Sequence, residues 1–225
     1  MTMTSLRPIL TTLALAAVCA FAHATPSTLV WIPSTDIQGN NTWHFGFDNY
    51  FRSNLTRVAP TDIGLTYGLL NGRAEVGFDY FAPSDDPLTF NGKYLVCTET
   101  SSRPALAIGG EFFGFESGVT DANMAYLIGS KTFGKVRAHL GYCHGKESTI
   151  GGEPNMLLAG LDGYLDAQKQ LWWGADYQSG DSLFGALNFG IGYQVNHAAS
   201  VIVGYDIYNA PGSDNSFTVQ WDINF

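Results

Sequence analysis

Apolar and polar residues alternate along most of the chain, and this period of two is typical of a β-strand whose two faces meet different surroundings. The alternation is clearest in the last nine residues, where every second side chain is large and apolar: Phe217, Val219, Trp221, Ile223 and Phe225. Similar segments recur from residue 42 onward, and no segment of useful length has the period of an amphipathic helix. The pattern therefore predicts an all-β protein.

A longer repeat is superimposed on this alternation. It consists of a glycine followed two residues later by an acidic residue, or once by a cysteine: Gly46/Asp48, Gly77/Asp79, Gly109/Glu111, Gly141/Cys143, Gly174/Asp176 and Gly204/Asp206. The glycines are 31, 32, 32, 33 and 30 residues apart, which indicates one supersecondary unit used repeatedly. Such a repeat accommodates two strands of about ten residues with two connections, the size of a hairpin in a membrane barrel. Six copies predict a transmembrane, antiparallel, up-and-down β-barrel of about twelve strands.

Short turn signals alternate with longer polar segments, which is the asymmetry between the periplasmic turns and the outer loops of an outer-membrane barrel. The predicted strands are 42–51, 61–69, 73–81, 93–99, 104–114, 123–131, 135–143, 155–164, 170–177, 183–193, 199–208 and 215–225. The fourth strand has the weakest pattern, but omitting it would give an odd number and would move the short turns to the other rim.

The predicted last strand resembles that of Gram-negative bacterial outer-membrane β-barrel proteins, which alternates apolar or aromatic residues and ends in phenylalanine, here Phe225. The resemblance covers residues 42–225 and identifies a class of architecture. It implies a location in the bacterial outer membrane, contact with its lipid bilayer, and Phe225 as the signal read by the barrel-assembly machinery.

The chain begins with features of an export signal. The first 24 residues carry a single charge, Arg7, followed by the uncharged run 9–22 and a small-residue site that ends at Ala24. This order predicts a cleaved signal peptide, residues 1–24. Residues 25–41 then precede the barrel, and their apolar group around Trp31 has four interpretations: a plug in the lumen, a cap on the periplasmic mouth, a strip that binds a periplasmic protein, or a plain tail.

Composition narrows the classes of protein that fit. Charged residues make up 14% of the chain and the net charge is −9, which disfavours a nucleic-acid partner because phosphate contacts require clustered Lys and Arg. No uncharged apolar run long enough for a transmembrane helix follows residue 24. Cys97 and Cys143 match no zinc pattern, and the sequence leaves open whether they pair. No metal or other cofactor is predicted.

Aromatic residues concentrate near the predicted strand ends. In a membrane barrel the apolar face points to lipid, and aromatic belts mark both interfaces. The periplasmic belt is predicted to contain Trp43, Trp173 and Trp221, and the outer belt Tyr80, Tyr142 and Tyr177. A secreted β-sandwich fits less well, because the opposite faces of the strands are rich in Gly, Ala and Asp rather than uniformly charged.

The opposite faces are assigned to the channel lumen. Its candidate residues are Asp48, Asp79, Glu111, Asp176, Asp206, His44, His139 and Arg137. The five carboxylates predict a broken acidic belt, which in a confined aqueous pore would favour cations over anions. The alternative is that these acids pair with basic neighbours or only keep the lumen hydrated.

These features favour a narrow porin-like channel for small hydrophilic or cationic solutes, because twelve strands enclose more space than eight and less than sixteen. The second hypothesis is a non-conducting scaffold or sheath for a periplasmic or surface partner. A lipid-modifying hydrolase is less favoured, because the sequence shows no obvious lumenal serine beside His44 or His139. No enzymatic activity and no catalytic residue is therefore predicted.

Overall fold

A computed structural model describes residues 27–52 and 59–225. Twelve strands form one closed barrel in which each strand pairs with its sequence neighbours and the first strand pairs with the last. The strands are β1 Trp43–Arg52, β2 Thr61–Leu69, β3 Ala74–Ala82, β4 Leu88–Cys97, β5 Ala105–Phe113, β6 Met124–Phe133, β7 Val136–His144, β8 Asn155–Tyr164, β9 Leu171–Gln178, β10 Ala186–Asn196, β11 Ala199–Tyr208 and β12 Ser216–Asn224, with one short helix, α1 Glu147–Ile150. The prediction of an all-β, twelve-stranded, up-and-down barrel is confirmed.

Antiparallel pairing continues around the whole circumference. The barrel closes through nine residue pairs between β1 and β12, from His44 opposite Asn224 to Arg52 opposite Ser216. Beyond them, Trp43 and Phe225 exchange backbone hydrogen bonds of 2.7 and 3.0 Å. The predicted assembly-signal residue Phe225 therefore extends the closing ladder.

The connections divide the barrel into two rims. One rim, which we call the turn rim, carries connections of two to seven residues: 70–73, 98–104, 134–135, 165–170 and 197–198. The opposite rim, which we call the loop rim, carries connections of five to ten residues. Two predicted strands require correction, since β4 begins at Leu88 rather than residue 93 and β10 spans Ala186–Asn196 rather than 183–193. The first residues of β4 include the inward polar residue Thr89, and a loop assignment for 88–92 is therefore wrong, because a polar residue on the lumenal face resembles a loop residue in sequence.

The outer surface of the barrel is apolar. Leu127, Leu140, Phe189 and Ile191 are among many large hydrophobic side chains with 47 to 63% of their surface exposed. Such a continuous apolar exterior on a closed sheet is that of a transmembrane barrel, because the lipid-facing side chains of such a barrel are apolar. Among residues 27–52 and 59–225, no helix is long and apolar enough to cross a bilayer.

The aromatic residues assigned to the two belts lie near strand ends. Trp43, Trp173 and Trp221 lie within four residues of the turn-rim ends of β1, β9 and β12. Tyr80, Tyr142 and Tyr177 lie within two residues of the loop-rim ends of β3, β7 and β9. Most of them are well exposed, from 37% for Tyr177 to 50% for Tyr142.

The interior is not polar throughout. The inner faces of β5 to β8 contribute an apolar cluster that includes Met124, Tyr126, Ile128, Met156 and Leu158, all buried. Cys143 lies in the same cluster, and neither it nor Cys97 is in a disulfide. Strands β6 and β8 therefore carry apolar residues on both faces, as strands that are buried on both sides do.

Candidate functional site: a divided lumen

The N-terminal segment, residues 27–41, lies inside the barrel. Its first part is a tight hairpin in which Thr28 pairs with Pro33, Leu29 N donates to Ile32 O at 2.8 Å, and Ser34 N donates to Ser27 O at 2.9 Å. Leu29 and Ile32 join the apolar cluster of β5 to β8, with 1% and 0% of their surface exposed. The hairpin is therefore packed as part of the interior.

Polar groups of β9 and β12 bind the backbone of this hairpin, and one of β10 supports them. Oδ2 of Asp176 accepts hydrogen bonds from the backbone N–H groups of Val30 at 2.8 Å and Trp31 at 2.9 Å. Oδ1 of Asp176 accepts a hydrogen bond from Asn188 at 2.7 Å, and Gln220 donates to Val30 O at 2.7 Å. A backbone turn buried in an apolar surrounding needs such partners, because unpaired N–H and C=O groups are costly there.

A second anchor joins the segment to β7 and β8 through Arg137. The guanidinium makes a bidentate contact with Asp36 of the segment, with N–O distances of 2.8 and 2.7 Å, and it also donates to Asp162 at 3.0 Å. Asp162 is 2.8 Å from Nε2 of His139 and accepts a hydrogen bond from Trp172 at 2.9 Å. Bidentate Arg–carboxylate pairs fix orientation as well as position, so this group of side chains fixes the part of the segment around Asp36.

A third anchor is on β3 and β4. Glu75 accepts a hydrogen bond from Gln38 N at 2.7 Å and forms a 3.0 Å ion pair with Lys93. The Lys93 ammonium also donates to Ser27 O at 2.8 Å. Both ends of the segment are therefore tied to one buried ion pair.

Inward-facing glycines make the close approach of the segment possible. A Cβ at Gly190 would lie 2.7 Å from Cγ2 of Val30, and a Cβ at Gly68 would lie 2.1 Å from the carbonyl oxygen of Gly39. Neither position has room for a larger residue while the segment is in place. The barrel wall therefore contacts the segment directly at these glycines of β10 and β2.

The segment divides the lumen into two cavities. The loop-side cavity, of about 440 Å³, is lined by β1 to β5 and reaches loop residues such as Pro60 and Ser84. The turn-side cavity, of about 590 Å³, is lined mainly by β7 to β11 and by turn residues such as Lys135 and Gln170. Thr28 lines both cavities, so the hairpin forms the partition between them.

The predicted acidic belt is split by this arrangement. Asp48, Asp79 and Glu111 line the loop-side cavity, together with Asp62, which the sequence analysis had not selected. Asp176 lies under the hairpin at 2% exposure and Asp206 is fully buried. His44 also lines the loop-side cavity and lies 3.3 Å from Asp222, whereas Arg137 and His139 belong to the second anchor.

A β-bulge shapes the wall of the loop-side cavity. Phe90 pairs with Phe113 and Gly92 with Gly110, so Glu111 and Phe112 together face the single residue between Phe90 and Gly92. Phe112 has a φ of 57°, a left-handed conformation that a bulky residue adopts only when its surroundings impose it. Bulges redirect side chains, and this one places Glu111 and Phe112 together on the cavity wall.

Aromatic rings cluster at the loop-side end of the hairpin. Trp31 makes edge contacts with Tyr50 and Tyr208, with ring centroids 5.5 and 5.8 Å apart. Phe112 contacts Phe184 of the loop between β9 and β10 at 4.7 Å, and the indole N–H of Trp31 donates to Phe184 O at 3.0 Å. The loop-side cavity therefore combines acidic residues on one wall with aromatic residues at its end.

The side chain of Asp121 connects two loops of the loop rim. Asp121 accepts hydrogen bonds from Lys146, from Thr149 at 2.5 Å and from Gly118 N at 2.8 Å. The bond from Lys146, followed by that from Thr149, holds the pKa of Asp121 well below its usual range. This links the loop after β5 to the loop after β7.

One contact corrects the analysis of the histidines. Ser130 Oγ is 2.8 Å from Nδ1 of His139, whose Nε2 is 2.8 Å from Asp162, so a lumenal serine does lie beside His139. Antiparallel pairing of β6 with β7 sets Ser130 opposite His139, although they are nine residues apart in sequence. The Ser130 side chain is 2% exposed and lines neither cavity, so it offers no surface on which a substrate could be attacked. Within residues 27–52 and 59–225, no group of three His, Cys, Asp or Glu is placed to hold a metal ion.

Comparison with known proteins identifies the fold. No protein-family model matches the sequence, and no curated protein matches it. A solved KdgM porin is similar with a TM-score of 0.59 and 12% identity over 81% of this chain and 99% of that one. A KdgM porin in complex with disordered oligogalacturonate gives a TM-score of 0.60 with the same identity and coverage. An outer membrane channel of Pseudomonas putida F1, designated COG4313, gives 0.50 and 11% identity over 85% of this chain and 98% of that one. The chain therefore has the β-barrel fold of outer-membrane porins and channels, as the sequence predicted.

Proposed function

We propose that this protein is a narrow channel of the bacterial outer membrane that passes small hydrophilic cations. The observation that carries the proposal is the pair of cavities, one reaching each rim, both of which are lined by Thr28 of the hairpin. The porin fold and the apolar exterior support the location. Residues 1–24 serve as the signal peptide and Phe225 as the residue read by the barrel-assembly machinery in this proposal.

Cation preference follows from the charges on the loop-side wall. In the described part of the chain, no basic side chain forms an ion pair with Asp48, Asp62, Asp79 or Glu111. Unpaired carboxylates in a confined aqueous passage raise the local concentration of cations and exclude anions. Lys93, His44 and Arg52 line the same cavity. Lys93 and His44 are each beside an acidic residue, Glu75 and Asp222, and the Arg52 guanidinium lies over the ring of Tyr208 at 5.5 Å. The four carboxylates therefore outnumber the one guanidinium on this wall.

A second candidate is a closed scaffold that does not conduct. It is favoured by the occupation of the lumen by the N-terminal segment and the apolar cluster. Leu29, Val30 and Ile32 are at most 2% exposed, so in this arrangement the segment offers no apolar strip to a periplasmic partner. The interior contacts of the segment thus support a lumenal role over a docking role, and the cavities support a channel over an enzyme.

The test is the conductance of the refolded protein in planar bilayers, followed by its reversal potential across a potassium chloride gradient. We expect small single-channel steps and a reversal potential of the sign produced by a cation-selective pore. Absence of any steps from protein whose folding is verified by heat-dependent gel mobility would favour the scaffold. Steps with a reversal potential of the opposite sign would contradict the proposed selectivity.

A further inference from the structure

We propose that the loop-side cavity binds a linear diammonium ion, a short alkyl chain with a protonated amine at each end. The inference deepens the proposed function, because it names the class of cation. It rests on that function only for the claim that the bound cation then passes through the barrel. Binding itself is a property of the cavity, whether or not the barrel conducts.

The first observation is the spacing of the carboxylates. Asp48 of β1 is directly opposite Asp62 of β2, and Asp79 of β3 is opposite Gly64, one inward position further along β2. Directly opposite residues have Cβ atoms about 5 Å apart and diagonal neighbours about 7 to 8 Å apart. The acidic groups therefore extend over three strands, and Glu111 continues the row on the far side of β4. Such a row of acidic groups can bind two positive charges that lie apart from each other in one ligand.

The second observation is independent of the acidic cluster. Oγ1 of Thr89 has no hydrogen-bond partner in the described part of the chain although the residue is only 2% exposed, and it lines the same cavity. Oδ1 of Asp62 is also buried without a partner. Thr89 of β4 is directly opposite Asp79 of β3. Asn91, also of β4, donates a hydrogen bond to Oδ2 of Asp79 at 2.6 Å. A buried polar oxygen without a partner is costly unless a donor reaches it, and an ammonium group supplies three donors.

The third observation distinguishes an organic cation from a metal ion. No three carboxylate or imidazole groups in the described ranges are close enough to hold a metal, as the spread of the acids along three strands requires. Tyr50 is the next inward residue after Asp48 on β1, and its ring lies 5.5 Å from that of Trp31. Aromatic faces attract alkylammonium groups and pack against methylene chains. A cavity of 440 Å³ is also of the size that encloses small organic ligands.

The experiment is a calorimetric titration of the full barrel, refolded in detergent at low ionic strength, with 1,4-diaminobutane. The comparison probes are 1-aminobutane, which has one charge, and butane-1,4-diol, which has none. The cavity variant is Asp62→Asn with Asp79→Asn, which keeps the side-chain shape. The matched control is Asp85→Asn with Asp86→Asn, which removes the same two charges from exposed positions of the neighbouring outer loop.

We expect the diamine to bind more tightly than the monoamine and the diol not to bind. The cavity variant should weaken diamine binding about tenfold or more, because it removes charge-assisted hydrogen bonds, whereas the loop control should leave it unchanged. Equal binding of diol and diamine, equal loss in both variants, or no diamine binding to the unaltered barrel would overturn the inference. Diamine binding to a barrel that does not conduct would instead refute the channel, and conduction without diamine binding would refute only this site.

Discussion

The two halves of the barrel wall carry similar numbers of acidic residues, but these residues have different partners in the two halves. On β7 to β12, Asp162 and Asp176 are surrounded by donors: Arg137 and Trp172 for the former, and the backbone of the hairpin for the latter. On β1 to β5, Asp48 and Asp62 face an open cavity. Asp176 and, through Arg137, Asp162 therefore hold the segment. On β1 to β5 Glu75 also holds it, whereas Asp48, Asp62, Asp79 and Glu111 line the loop-side cavity.

The same sequence motif therefore has two roles in the structure, binding the hairpin on one wall and lining the cavity on the other. The Gly-x-acid repeat places Asp48 and Asp176 at equivalent positions of their strands, yet only Asp176 receives the hairpin. The hairpin leaves the loop-side cavity beside β1 to β5, and Thr28 also lines the turn-side cavity. We expect cations to pass from one cavity to the other at Thr28.

The largest effect should come from removing the segment. Deletion of residues 27–40 should raise single-channel conductance several-fold, because the hairpin and its contacts then no longer divide the lumen. The measurement is conductance in planar bilayers, with protein of native gel mobility as the control for folding. An unchanged conductance would show that the segment does not limit the passage.

Blocking the partition should have the next largest effect. In a variant with Cys97→Ser and Cys143→Ala, the further change Thr28→Cys places a thiol where both cavities meet. Attachment of a bulky cationic methanethiosulfonate group should abolish most of the current, and a reductant should restore it. The same reagent on the background without Thr28→Cys is the control, and full current after complete labelling would argue against a path past Thr28.

Charge removal should distinguish the two walls. Asp48→Asn with Asp79→Asn should shift the reversal potential toward anions, most strongly near 0.01 M salt, where the Debye length is about 30 Å. Asp176→Asn with Asp206→Asn removes the same charge from buried positions and should shift it less. Equal shifts in both variants would contradict the division into an open and an occupied wall.

A smaller effect is expected from the Arg137 anchor. Asp36→Asn removes the bidentate contact but leaves Arg137 paired with Asp162, so we expect a loss of about 1 kcal/mol in unfolding free energy for a pair that is partly exposed. Urea unfolding measures this loss, with Asp214→Asn in an exposed loop as the control. A loss no larger than that of the control would mean that the anchor contributes nothing measurable.

The smallest effect concerns the outer loops and pH. Since the pKa of Asp121 is lowered in the folded loops, its contribution is present at neutral pH, and it is lost as the pH falls below about 4 and approaches the lowered folded value. The protection factor of the Gly118 amide, which is the intrinsic exchange rate divided by the observed rate at the same pH, should therefore fall on acidification in the unaltered protein. In Asp121→Asn the protection factor should be low at neutral and at acidic pH alike, and retention of the pH dependence would assign it to another group.

The parts of the fold that sequence predicts are those set by the contrast between lipid and lumen. Alternation identified all twelve strands because a lipid-facing residue is followed by one that is not. The same rule could not detect Met156 or Leu158, which are apolar and point inward, and it placed the first five residues of β4 in a loop. Asp62 has the inward parity of β2 but lacks the Gly-x-acid motif by which the acidic belt is selected. The contact of Ser130 with His139 depends on strand register, which no local pattern specifies. Only the two-sided apolar character of β6 and β8 was a signal available in advance.

The contacts of the hairpin join parts of the chain that are far apart in sequence. Val30 is 146 residues from Asp176 and 190 from Gln220, the residues that bind its backbone. Because loop-closure entropy opposes contacts between residues far apart in sequence, we expect these two hydrogen bonds to form late in folding. The residues that precede the first strand would then be among the last to reach their final position, although they are synthesised before any strand.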